Sequence, residues 1–258
     1  MIFSWLRRRR RQKLLATPFP AAWSTYLEKN VEHYALLTPD EQARLRDNLR
    51  VFIAEKNWEG CGGLELTDEM KVTIAGQACL MALGLEGEPF RGVMSILVYP
   101  TSYAVPQERQ YEGWSIAGES QRSGEAWYRG PVILSWADVR RDSRHPGYGR
   151  NLVWHEFAHQ IDMLDRSTNG TPPLASGELR RRWHEVMTQE YQQLITDAEA
   201  GRATLLDTYG AESEAEFFAV ATECFFDCPV ELRGDHPRLY DLLRDYYAQD
   251  PAARLATN

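Results

Sequence analysis

The chain has 258 residues, 43% of them hydrophobic, and a formal net charge of −8 at pH 7, which is enough for one substantial core, as a single large domain or as two lobes sharing a cleft. Six positive charges cluster at Arg7, Arg8, Arg9, Arg10, Arg11 and Lys13, and taking these six from the net −8 leaves −14 on the remainder. That balance argues against a nucleic-acid-binding body and confines any attraction for phosphates to this arm.

Residues 1–16 read as a basic, flexible tail. Met1, Ile2, Phe3, Trp5 and Leu6 precede the arginines, the reverse of a secretory signal, and the apolar run is too short to span a bilayer. Its expected roles are a weak contact with an anionic membrane surface or simple solvation. The cysteines Cys61, Cys79, Cys224 and Cys228 are scattered rather than arranged as a secreted disulfide framework, so a reducing cytoplasm is the expected location, with no transmembrane segment.

Further along, Thr38-Pro39-Asp40-Glu41 offers an N-cap, an N1 proline and a capping glutamate ahead of Leu45, Leu49, Phe52 and Ile53 at helical spacing, which predicts a helix. Residues 57–63 read as a break, and residues 67–83 as a second helix with Met70, Ile74, Ala78 and Met81 on one side. Compact apolar runs at 92–99 and 132–136 predict two buried strands. Between them, residues 103–129 carry turn residues and the aromatics Tyr111, Trp114, Trp127 and Tyr128, as short strands or a substrate-facing loop. The C-terminal half reads as helical, with breaks at 169–173 and at Cys228-Pro229. The predicted class is α+β, mainly helical, with a small mixed sheet beside the helix described next.

That helix, expected over 151–165 with Leu152, Phe157, Ile161 and Leu164 packing, contains His155-Glu156-Phe157-Ala158-His159. Imidazoles four residues apart project from one side of a helix and can share one zinc ion, with the glutamate between them as candidate base. A catalytic zinc needs a third protein ligand and an open position. The longer pattern that continues with a glycine and a third histidine is excluded, because Asp162 and Asp165 stand in those places. Residues 212–223 form the richest acidic helix downstream, where Glu212, Glu216 and Glu223 share a face while Phe217 and Phe218 suit the core. The residues themselves leave all three glutamates open as ligands. For orienting a ligand imidazole, Glu223 and Asp162 are both candidates. His33, His145, His184 and His236 lack partners at motif spacing, and Cys224 with Cys228 suits helix packing better than metal binding.

The combination of His155-Glu156-Phe157-Ala158-His159, Tyr209 and Glu216-Phe217-Phe218-Ala219 resembles the Mlc titration factor A family of bacterial zinc peptidases, whose catalytic core is similar to that of anthrax lethal factor. In that family a tyrosine lies seven residues before the glutamate ligand, as Tyr209 lies before Glu216. The resemblance implies a zincin-like metallopeptidase fold, with residues 17–258 as a single zinc metallopeptidase domain. It implies His155, His159 and Glu216 as ligands of Zn2+, Glu156 as the group that takes a proton from the attacking water, and Tyr209 as a stabiliser of the oxyanion. A loop anchor is the structural reading of that tyrosine. The expected substrate is a peptide, with aminopeptidase-like activity. The family is also named for sequestering Mlc, the repressor of glucose phosphotransferase genes, so a regulatory binding module that does not need its zinc is the alternative. An extended peptide would pair with the strand at 132–136 if that strand is an edge, and Trp136 and Tyr128 would line the cleft or fill the core.

Overall fold

The computed structural model describes residues 2–101, 103–104, 121–122, 124–125 and 130–256. Three helices come first: α1 (Ile2–Leu15), α2 (Ala21–Asn30) and α3 (Pro39–Glu55). The expected capping box is present at α3, where Thr38 Oγ1 accepts from the Glu41 N–H and the Glu41 carboxylate accepts from the Thr38 N–H at 2.9 Å, so two exposed helix-end donors are satisfied reciprocally.

The segment expected as a flexible tail is helical and docked. Arg7 and Arg11 of α1 both reach Glu55 at the end of α3 and Glu88 beyond it. Helical spacing places Arg7 and Arg11 on one side, so carboxylates on the body can hold both. A second correction concerns residues 57–63. The predicted break contains strand β1 (Asn57–Gly60), which carries no apolar alternation and is recruited by a neighbour's backbone rather than by its own pattern.

After β1 come α4 (Asp68–Met81), β2 (Ser95–Tyr99), β3 (Tyr103–Ala104), β4 (Gln121–Arg122), β5 (Gly124–Glu125) and β6 (Val132–Ser135). One sheet runs in the order β1-β2-β6-β5, parallel from β1 through β6, with β5 antiparallel at the end, and β3 pairs with β4 separately. The small mixed sheet is therefore present, but β6 is not its edge. It pairs on both sides, and Gly124–Glu125 takes the outer position. The loop aromatics Tyr111, Trp114, Trp127 and Tyr128 lie outside the described residues. Trp136 is buried and opens a helix, α5 (Trp136–Arg144), because Ser135 Oγ accepts from the Asp138 N–H at 3.3 Å and ends the strand.

The chain closes with α6 (Leu152–Asp162), α7 (Gly177–Glu199), α8 (Glu214–Asp227), α9 (Pro229–Asp235), α10 (Pro237–Tyr247) and α11 (Pro251–Ala256). Helix α6 packs against α8 and α4, with β5 and β6 beside it. Buried Val72, Ile74, Ala75, Ala78 and Leu80 surround α4, so that helix is apolar on more than the single side its sequence suggested, as suits an element at the centre of a core. Phe157 and Ile161 of α6 are fully buried, while Leu164, expected to pack, is exposed in a 3-10 turn after the helix.

Candidate metal centre

Helix α6 starts where its sequence predicts. Asn151 is extended and its Oδ1 accepts the Trp154 N–H at 3.1 Å. The preceding loop turns through Gly147 and Gly149 at φ of +85° and +71°, conformations that suit glycine. Asp227, at the end of α8, accepts from the N–H groups of both glycines, at 3.0 Å and 2.7 Å. Asp142 of α5 accepts the Leu152 N–H at 3.0 Å. Donors of the loop and of the first turn of α6 are thus met by side chains from three directions. On the inner side, Phe157 stacks edge-on with Phe90 at 4.7 Å, and the Trp154 indole N–H donates to Gln77 O at 3.1 Å. These contacts set both the rotation and the axial position of the helix.

The rotation points His155 and His159 toward α8. Their Nε2 atoms are 3.2 Å apart, and Glu216 Oε2 lies 3.0 Å from the first and 3.3 Å from the second. The carboxylate oxygen is buried and receives no hydrogen bond of acceptable direction. Three ligand atoms held tetrahedrally at about 2.0–2.1 Å from one ion are about 3.3 Å from one another. The donor set therefore fits zinc in identity and in spacing. Among the described residues, no other set of three His, Cys, Asp or Glu side chains converges in this way.

Glu216 reaches the imidazoles because α8 begins just before it. Ser213 Oγ accepts the Glu216 N–H at 3.2 Å, and Phe217 and Phe218, nearly free of solvent contact, bind the helix to the core. The three sequence alternatives separate by geometry: Glu212 precedes α8 and is exposed, Glu216 meets the two Nε2 atoms, and Glu223 approaches His155 from behind. Glu223 Oε1 lies 2.7 Å from His155 Nδ1 while its Oε2 accepts the Asn151 N–H at 2.6 Å. One carboxylate thus orients the ring and ties down the helix cap. Asp162, its competitor for that task, accepts instead from Gly170 N at 3.0 Å.

The electrostatics match this division. Burial opposes charge on His155, but Glu223 and Glu216 outweigh it and raise the imidazole well above its ordinary value. Burial likewise acts to raise Glu216, and the two imidazoles reverse that effect and hold its carboxyl below the ordinary range. Glu223, which is buried, is raised by burial in spite of His155. Anionic oxygens on both sides of the imidazoles make a pocket that favours positive charge.

Glu156 is 3% exposed and lies one position along the helix from His155, close enough for its charge to raise that imidazole. Tyr209 is 46% exposed and its ring centre lies 5.9 Å from that of His155. It sits in a 3-10 turn, residues Thr208–Ala211, and its own N–H donates to Asp207 Oδ1 at 3.0 Å. Gly210 lets this turn approach α8: a Cβ there would be 3.1 Å from Leu194 Cδ2 and 3.4 Å from the Phe217 Cα. Sequence reasoning did not identify Asp227 and Asp142 as holders of the site. The positive-φ glycines marked the loop, but only tertiary packing brings these carboxylates beneath it.

A helix-borne pair of imidazoles completed by a carboxylate from a second helix is a donor set characteristic of metallopeptidases. Residues 4–248 match the family described as glucose-regulated metallo-peptidase M90, and the chain belongs to that family. It is 39% identical over 249 residues to an uncharacterized protein of Synechocystis sp., covering 96% of this chain and 90% of that protein. It is 32% identical over 238 residues to proteins named Mlc titration factor A from Yersinia pestis and Yersinia pseudotuberculosis, covering 91% of this chain and 87% of each. The family resemblance carried by the two motifs is borne out over nearly the whole chain.

Proposed function

We propose that this chain is a zinc-dependent peptidase in which His155, His159 and Glu216 hold the ion. The observation that carries this reading is the near-equilateral approach of two imidazole nitrogens and one buried carboxylate oxygen, with edges of 3.0–3.3 Å. Zinc held there would supply Lewis acidity toward the scissile carbonyl and the attacking water. Glu156 takes the proton from that water and delivers it to the departing amine, a task for a carboxylate near the ligands but outside their set. Tyr209 donates its phenolic hydrogen to the oxyanion as the carbonyl carbon becomes tetrahedral. Glu223 keeps the His155 ring turned toward the site, so it is a positioning residue.

The fold of this unit, residues 17–258, is zincin-like in this reading, with the mixed sheet beside the motif helix. The substrate is a peptide, cleaved in aminopeptidase-like fashion, and the protein works in the cytoplasm. Among the described residues, no helix is long and apolar enough to cross a membrane. The name of the Yersinia relatives favours a second, regulatory reading, in which the chain binds an Mlc-type repressor without need of the zinc.

One variant separates the two. E156Q leaves the three ligand side chains in place, so it is expected to keep one zinc per chain by elemental analysis while hydrolysis falls about 10²–10⁴-fold. A variant that cleaves a peptide series as fast as the parent would remove Glu156 from the reaction. Retained repressor binding by inactive E156Q would support the regulatory reading, and absence of binding by the parent would eliminate it.

A further inference from the structure

Helix α1 sorts its basic residues into two sets. At 100° per residue, Arg7, Arg11 and Leu14 lie on one side and Trp5, Arg9 and Lys13 on the other. The inner set is spoken for. Arg11 binds Glu55 through two bonds of 2.6 Å and 2.7 Å, Arg7 Nη2 donates to the same carboxylate at 3.0 Å, and both arginines reach Glu88. At the far end the buried Arg50 of α3 donates to the carbonyl of Leu14 and to Thr17 Oγ1, which caps the C-terminus of α1. The helix is thereby held in one orientation on the body.

The outer set has no such partners. Arg9 and Lys13 of this set, with Arg8 and Arg10 at its flanks, are exposed, and among the described residues none of them forms an ion pair. Trp5 and Leu6 beside them are 57% and 49% exposed, and the Arg9 guanidinium stacks over the Trp5 ring at 5.4 Å. The sequence before Trp5 continues apolar, with Ile2 and Phe3. A fixed helix that presents unpaired cations beside an exposed tryptophan and leucine, without separate polar and apolar faces, offers a shallow surface contact: the cations meet anionic headgroups while Trp5 and Leu6 reach the boundary layer.

We propose that the outward face of α1 is a docking surface for an anionic lipid bilayer, and that it brings this acidic protein to the membrane surface by a local contact. Charge complementarity selects the occupant. The remainder of the chain is strongly acidic and is repelled by phosphates, so attraction is restricted to α1 and acts within about 8 Å at physiological salt. A nucleic acid would match the cations but would leave Leu6 without a role, whereas a bilayer uses both.

The test is co-sedimentation of the full chain with vesicles of phosphatidylcholine, with and without phosphatidylglycerol, at low and raised salt. Binding is expected only to the phosphatidylglycerol vesicles and should weaken with salt. The triple substitution R8Q/R9Q/R10Q should reduce the partition coefficient at least about tenfold without changing the melting temperature, because Arg7 and Arg11 are untouched. W5A, which keeps every charge, should also reduce binding and should leave a larger residual salt dependence. Equal binding to neutral vesicles, no binding to either kind, or parent-like binding by both variants would overturn the proposal. So would a single-stranded RNA oligomer that binds more tightly and displaces the protein from vesicles, which would reassign the face to nucleic acid.

Discussion

Of the junctions that join helices through charged side chains, α6 to α8 and α1 to α3 differ most usefully in depth. At the first, Glu223 is 6% exposed and His155, His159 and Glu216 are mostly shielded from solvent. At the second, Arg7, Arg11, Glu55 and Glu88 share a half-exposed network. Buried charges must be matched in number and direction, because an unmet donor or acceptor costs about 1–3 kcal/mol. Half-exposed charges can fall back on water, so their pairing orients a helix with little contribution to stability. The deep junction can define a reactive geometry, and the shallow one serves to hold a surface.

The comparison predicts large effects at the first junction and small ones at the second. E216A should have the largest effect. Loss of the only carboxylate in the donor set should weaken zinc binding by more than the about 10–100-fold that follows loss of an outer partner, read by equilibrium dialysis with elemental analysis. Undiminished metal content in E216A would show that the convergence of the three side chains has no chemical consequence.

E223Q should be next. Both oxygens of Glu223 face N–H groups, one on His155 and one on Asn151. An amide has one acceptor oxygen, so its NH2 must confront a donor at one of those places. Zinc affinity is expected to fall by about 10–100-fold, with the helix content by circular dichroism unchanged. A variant with parent affinity would imply that either contact alone suffices to hold the His155 ring.

The smallest effect is expected at Glu55. Its hydrogen bond from Arg11, with help from Arg7, holds its carboxyl down to about 2 from the ordinary 4.5. A depressed carboxylate stabilises the fold above its unfolded value and loses that contribution as pH falls toward its folded value. E55Q should therefore melt slightly below the parent at neutral pH, by at most about 1 kcal/mol of stability. The gap should narrow between about pH 4.5 and pH 2. A gap that persists unchanged through that window would place the contribution of Glu55 in packing rather than charge.

Much of the site was legible because local rules governed it. His155, Glu156 and His159 are neighbours on one helix, Asn151 caps it, and Thr38 with Glu41 caps another. Glu216 was reached through the family resemblance and the spacing from Tyr209, since Glu212 and Glu223 satisfy the same helical pattern. What distinguishes them is where α8 starts and how it turns: Ser213 sets the start, and Phe217 and Phe218 set the rotation. Strand β1 was not legible, because Asn57-Trp58-Glu59-Gly60 is paired by β2 without alternation of its own. Nor was the inner position of β6, which depends on Gly124 and Glu125 joining from a loop.

Taken alone, the order of residues was enough to determine the helices with strong caps, the paired imidazoles and the sign of charge on each stretch, because these depend on neighbours within a few positions. Tertiary structure alone decided which glutamate meets both imidazoles, which one stands behind His155, and that Arg7 and Arg11 are held while Arg8, Arg9 and Arg10 are left exposed. Those outcomes depend on the rotation and approach of helices distant in sequence, and burial of one face of each helix is what fixes them.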